Sequence, residues 1–188
     1  MSAYQMTFKR VEIKYLLNPI QYRELLKKLE GKMAADKYGK SVISNIYFDT
    51  PDSRLIRESM EKPVYKEKFR LRSYGVPRDG DTVFLELKKK YKGIVYKRRE
   101  DMSLEDAENY LYREKAAPKD SQVMREIGWF RNYYKEVIPA MYISYERTAM
   151  YGILDKELRM TFNGNILWRD TSLSLDSGPW GNSILEQG

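Results

Sequence analysis

The stretch from Tyr65 to Tyr74 constrains this chain more than any other. Read at the two-residue period of a β-strand, Lys66, Lys68, Arg70 and Arg72 share one face, while Glu67, Phe69, Leu71 and Ser73 share the other. Same-face residues on a strand lie roughly 6.7 Å apart. Each neighbouring pair of cations therefore repels by about 0.6 kcal/mol in water, and by more where water is scarce. An ordinary solvated strand face mixes signs and avoids that repulsion. This face does not, so the deciding question is whether other strands repeat it.

They do. Phe8 to Leu17 alternates, with Val11, Ile13 and Tyr15 on one side and Phe8, Arg10, Glu12 and Lys14 on the other. Val83 to Lys90 sets Leu85 and Leu87 against Glu86, Lys88 and Lys90. In Ile94 to Arg99 the facing is open: either Lys97 with Arg99, or Arg98 alone, joins the cations. Further strands are expected over Ser41 to Tyr47, Ala140 to Met150, Glu157 to Phe162 (with Arg159 on its polar side), Asn165 to Arg169, and from Ser183 to Glu186. Helices are expected where apolar residues recur at helical spacing behind capping residues: Ile20 to Lys32 behind Asn18-Pro19, a short helix to Met60 behind Asp49 or Thr50, one from Ser103 to Lys115, and Gln122 to Lys135 behind Ser121. With amphipathic helices covering the apolar strand faces, the charged faces line the opposite side, and such a sheet can close around a polar lumen.

Composition limits the chemistry of that lumen. The 188 residues are 42% hydrophobic and 32% charged, which suits one globular domain; no internal repeat or linker divides them. There is no cysteine and no histidine. This excludes disulfides, thiolate or imidazole metal sites, imidazole bases and Ser-His-Asp triads. A metal would have to sit on carboxylate oxygens, which suits magnesium, manganese or calcium. No apolar run is long enough to span a bilayer, Met1 to Lys14 lacks the apolar core of a secretory signal, and a cytoplasmic location is expected. The net charge of +7 calls for an anionic partner. Phosphates are the natural choice, because Arg and Lys bind them through charge-assisted hydrogen bonds.

At these residues the chain resembles a known family. Arg10-x-Glu12-x-Lys14-Tyr15, Tyr47-Phe48-Asp49-Thr50-Pro51, Lys68-x-Arg70-x-Arg72-Ser73-Tyr74, Glu86-Leu87-Lys88-Lys89-Lys90, Tyr145-x-Arg147 and Arg159-x-Thr161-Phe162 occur in the order seen in the VTC (vacuolar transporter chaperone) catalytic domain, a polyphosphate polymerase family of the triphosphate tunnel metalloenzymes. The resemblance implies an α+β fold: an antiparallel, eight-stranded, tunnel-like β-barrel with a cationic lumen and helices outside. It implies one such domain over residues 1–188 that uses ATP, inorganic polyphosphate and Mn2+ or Mg2+. Arg70, Arg72, Lys88, Arg147 and Arg159 resemble the family's catalytic cations, with Arg10, Lys14, Lys68, Lys90, Lys97 and Arg99 as further phosphate-binding candidates. Glu186 resembles the metal-ligating glutamate of the last tunnel strand, and Glu12 and Glu86 are candidates for metal contact or for orienting lysines.

The chain also departs from the pattern. Asn163 stands where the family has aspartate, and Glu186 is followed only by Gln187-Gly188 rather than by the usual Glu-x-Lys and a further helix, so closure at the C-terminal end is expected to be incomplete. The implied reaction is transfer of the ATP γ-phosphate to a growing polyphosphate chain, with a membrane-protein partner for product export as a further expectation. A triphosphatase of the same superfamily and a non-catalytic polyanion-binding module are the alternatives. The first typically carries Glu-x-Glu-x-Lys on its first strand, where this chain has Arg10 in the first position. Nucleic acid is disfavoured: Tyr47, Phe48, Trp129, Tyr133 and Tyr134 could stack bases, but they fall at positions expected to pack.

Overall fold

A computed structural model describes residues 12–185, and it places seven strands side by side in one antiparallel sheet. Helix α1 (Pro19–Leu29) begins where Asn18 accepts the Gln21 N–H at 2.8 Å and the Gln21 side chain accepts the Asn18 N–H at 3.0 Å. This reciprocal cap satisfies two backbone donors that the first helical turn leaves free. Strand β1 (Met33–Asp49) starts eight residues before the expected Ser41. Its first residues pair with the far end of a later strand, and an irregularity between Ala35 and Lys40, with Gly39 at φ 58°, interrupts the alternation that a sequence pattern needs.

Helix α2 (Arg54–Met60) is held by the residues expected to cap it, in a wider loop than foreseen. The Asp49 carboxylate accepts the N–H groups of Thr50, Leu55 and Ile56 at 2.8, 2.8 and 3.0 Å, and Thr50 Oγ1 accepts that of Arg54 at 2.9 Å. Pro51 therefore sits in the turn ahead of the helix, not in its first turn. Strands β2 (Tyr65–Tyr74), β3 (Thr82–Tyr91) and β4 (Ile94–Ser103) follow as a meander. The β3–β4 turn is Lys92-Gly93, both at positive φ (45° and 84°), the geometry whose twist matches a two-residue hairpin.

Helices α3 (Leu104–Tyr112) and α4 (Gln122–Tyr134) are capped by Ser103 and Ser121, which accept the N–H groups of Asp106 and Met124 at 3.0 and 3.1 Å. Strand β5 (Ile138–Gly152) begins two residues before the expected Ala140. Strand β6 (Arg159–Arg169) joins the two short strands expected there. It runs past an irregularity at Asn165 (φ 47°), opposite the Ser144 to Glu146 segment. Strand β7 is Asn182–Ser183.

The strand order is β4-β3-β2-β1-β5-β6-β7, with seven strands and an open sheet among the described residues. The fold is thus α+β and antiparallel, as expected, with seven strands in an open sheet among the described residues where an eight-stranded tunnel-like barrel was expected. Of the expected first strand, residues 8–11 lie outside the described residues, and residues 12–17 carry no strand. Glu186, at the expected end of the last strand, also lies outside them.

One sheet face is hydrocarbon and the other is not. Phe69, Leu71, Leu85, Leu87, Ile46 and Phe48 point to the helix side, where Leu104, Ala107, Leu111, Met124, Ile127 and Phe130 cover them. Each large side chain so buried is worth about 1.5–3 kcal/mol. Because opposed residues in an antiparallel ladder share a face, burying this set forces Lys68, Arg70, Arg72, Glu86 and Lys88 to the other side. Helix α1 lies on the helix side as well, with Tyr22 edge-on to Phe162 at 5.2 Å.

Candidate functional site

The ladder fixes which cations meet. Arg70 lies opposite Glu86, and Glu86 opposite Arg99; one step along, Lys68 lies opposite Lys88, and Lys88 opposite Lys97. On the other edge of β2, Tyr47 faces Arg70 and Asn45 faces Arg72. Two rows of charge therefore cross three strands on the face that no helix covers.

Glu86 is the hub of the first row, and it is only 1% exposed. Its Oε2 accepts from Arg70 Nε at 2.7 Å, and its Oε1 accepts from Arg99 Nε at 2.7 Å and pairs with Lys97 Nζ at 2.7 Å. Arg72 Nε stands 3.8 Å away. Burial pushes the Glu86 carboxyl up, but Arg70, Arg72 and Lys97 outweigh it and hold it at about 2. The same burial brings Lys97 down to about 8, against the pull of Glu86 and with the help of Arg99 and Arg72. Lys68 and Lys88 are also lowered, burial first. Lys66, Lys14 and Arg70 add to the effect at Lys68; Glu12 opposes it at Lys88, where Arg70, Lys14 and Lys68 add to it.

Polar groups that the sequence did not single out hold the guanidinium planes. Arg72 is 5% exposed; it donates through Nε to Asn45 Oδ1 at 2.9 Å and through Nη2 to the Tyr145 hydroxyl at 3.2 Å. Asn45 in turn donates to the Ile143 carbonyl at 3.0 Å. Arg70 donates through Nη1 to the Tyr47 hydroxyl at 2.8 Å. Arg99 donates to the Tyr74 hydroxyl at 3.3 Å and lies 4.5 Å from the Phe84 ring. Tyr47 was expected to pack in the core, and here it faces the cations. Of the other aromatics assigned to packing, Phe48 is core and Tyr134 packs against it, whereas Trp129 and Tyr133 are exposed and stack on each other at 5.3 Å. The available signal was spacing: Tyr74 and Tyr145 each stand two residues from a predicted cation, Arg72 and Arg147.

The remaining predicted residues divide. Arg147 lies across the sheet from the Glu86 cluster, donating to Asn163 Oδ1 at 2.9 Å with its guanidinium 5.1 Å from the Tyr145 ring. Tyr145 thereby links it to Arg72. Arg159 is further along β6, opposite Tyr151 and 6.0 Å from that ring. Lys90 is exposed near the end of β3, opposite Lys66. Glu12 and Lys14 are exposed, 4.0 Å apart, and close enough for their charges to act on Lys88. Arg98 settles the open facing on β4: it turns to the helix side and pairs with Glu126 at 3.2 Å, as Lys89 does at 3.5 Å. Arg10 and Glu186 lie outside the described residues.

Among the described residues a divalent metal finds no cage, and no group of three or more carboxylates converges. Both oxygens of Glu86 are taken by cations, which suits its other expected role of orienting them. Four cations around one carboxylate leave three positive charges uncompensated, and Lys68 and Lys88 face each other beside them. Such a surface is built to receive a multiply charged anion.

No curated protein matches the chain. Among solved structures, a putative adenylate cyclase from Bacillus halodurans is 14% identical at a TM-score of 0.47, over 80% of this chain and 77% of that one. A putative adenylyl cyclase from Hippeastrum, described as having a dominant triphosphatase activity, is 15% identical at a TM-score of 0.49, over 79% of this chain and 68% of that one. Likeness at that level assigns no activity here. The VTC domain model, in contrast, matches residues 9–188. Spanning nearly the whole sequence, the match shows that this chain belongs to the VTC domain family.

Proposed function

We propose that the cationic face binds ATP and inorganic polyphosphate and transfers the γ-phosphoryl group of ATP to the end of the polyphosphate chain. The observation that carries this reading is the surplus of positive charge around Glu86, held in place by hydroxyl and amide partners before any ligand arrives. In the reaction, a terminal oxygen of polyphosphate attacks the γ-phosphorus in line. The bond from that phosphorus to the β,γ-bridging oxygen breaks, and ADP leaves. This chemistry asks for alignment and charge neutralisation more than for an acid or a base, so a face without histidine suffices.

Arg70, Arg72, Lys88, Arg147 and Arg159 are the cations proposed to act on the reacting phosphates. Arg10, Lys14, Lys68, Lys90, Lys97 and Arg99 are proposed to hold the chain. Arg10, in place of the first glutamate of the triphosphatases' Glu-x-Glu-x-Lys, supports transfer to phosphate over transfer to water, because metal-activated water needs carboxylate ligands. The test is incubation with ATP and manganese or magnesium, following ADP and polymer together. Replacing Arg70 by Ala is expected to lower turnover by about 10²–10³-fold, the usual cost of one charge-stabilising donor. Free phosphate without polymer would replace this reading by a triphosphatase; polyphosphate binding with no turnover would replace it by a binding module.

A further inference from the structure

Two adjoining turns at one end of the sheet carry apolar side chains out into solvent. The last residue of α2, Met60, is exposed (74%), as is Val64 (63%) in the α2–β2 connection, and the β3–β4 hairpin exposes Ile94 (56%). The turns are tied together: the Lys92 N–H donates to the Val64 carbonyl at 3.0 Å, and Tyr65 pairs with Tyr91, which pairs with Ile94. Both tyrosines are exposed, so the apolar surface is continuous from one tip to the other. Single exposed apolar residues need no explanation, but a joined group at paired loop tips does.

Charge indicates the occupant. Lys62, Lys90 and Lys92 are exposed around the tips, and Glu61 is the only acid within residues 60–65 and 90–95. Tyrosine, with an apolar ring and a polar end, suits the boundary between hydrocarbon and headgroups, and lysine extends from such a boundary toward anionic groups. Among the described residues no helix is long and apolar enough to cross a membrane, so the contact would be one of lying on a surface. We propose that this end of the sheet docks on an anionic lipid bilayer. Val64 and Ile94 enter the acyl boundary, and Lys62 and Lys92 meet the headgroups. Lys68 and Lys88 stand three residues along the strands from Tyr65 and Tyr91, so docking brings one end of the cationic face toward the bilayer.

Sedimentation with vesicles of phosphatidylcholine, with and without phosphatidylserine, tests this in the presence of saturating tripolyphosphate, which occupies the cationic face. The wild-type chain is expected to sediment with the anionic vesicles only. Val64→Asp with Ile94→Asp, and separately Lys62→Glu with Lys92→Glu, are each expected to cut binding by about tenfold or more. Both pairs should keep wild-type affinity for tripolyphosphate, and the lysine pair, wholly on the surface, guards against misfolding of the first. Equal binding to neutral vesicles, no binding, or binding that tripolyphosphate abolishes would overturn the proposal. So would a Val64→Asp/Ile94→Asp variant that sediments like wild type, or one whose only effect is to split a dimer.

Discussion

Glu86 is the residue on which the cationic face balances, and its titration has a definite sign. Its carboxyl falls from the ordinary 4.5 to about 2 on folding, so the stability it contributes is present above pH 4.5 and is lost as pH falls toward 2. A shift of that size corresponds to about 3 kcal/mol. Replacing Glu86 by Gln removes the sole counter-charge, among the described residues, within hydrogen-bond reach of Arg70 and Arg99, and is expected to destabilise the fold by about 3–5 kcal/mol. Urea unfolding measures the loss, and added tripolyphosphate should restore part of it, since the anion takes over the role of the carboxylate. Lys97 gives a slope of the same sign in a different window. With its pKa lowered to about 8, the unfolded chain holds the extra proton between pH 8 and 10.5, so this residue makes stability rise with pH across that window. Anion affinity runs the other way: calorimetric titration with tripolyphosphate should show affinity level below pH 8 and falling above it. Lys97→Arg, charged throughout, should flatten that fall.

At the scale of elements, alternation made β2 and β3 legible because each buries one face completely, and a slip of one residue would put Phe69 or Leu87 into solvent. The helices were legible from their caps: Asn18, Ser103 and Ser121 all accept the backbone donors that their side chains suit. Where the period breaks, the sequence was silent. The start of β1 is hidden by the irregularity between Ala35 and Lys40, and the unity of β6 by the bulge at Asn165. The cap of α2 is the instructive middle case, because Asp49 reaches forward six and seven residues to Leu55 and Ile56 instead of capping its own next turn. Asp49→Ala should therefore cost about 1–2 kcal/mol, read as a lower melting temperature. Affinity for tripolyphosphate should be unchanged, since Asp49 takes no part in the cationic face; a variant as stable as wild type would contradict this role.

Across the described residues, helices cover one side of the sheet and cations gather on the other. The gathering was legible as repeated alternation over Lys68, Arg70, Arg72, Glu86 and Lys88, and the side of Lys97 and Arg99 became clear only from their register with Lys88 and Glu86. The tyrosines and Asn45 that fix the guanidinium planes were not legible, because hydroxyl and amide groups carry no charge pattern and their partners lie on strands distant in sequence. Arg70 and its neighbours are proposed to form one binding face for phosphate chains. Calorimetric titration with tripolyphosphate tests it, comparing wild type, Arg70→Ala, and Lys119→Ala as a control at the β4 edge, where Lys119 pairs with Glu100, opposite the core residue Leu85. Arg70→Ala is expected to weaken binding by about tenfold to a hundredfold while Lys119→Ala leaves it unchanged. Equal affinity in all three, or equal losses in both variants, would contradict it.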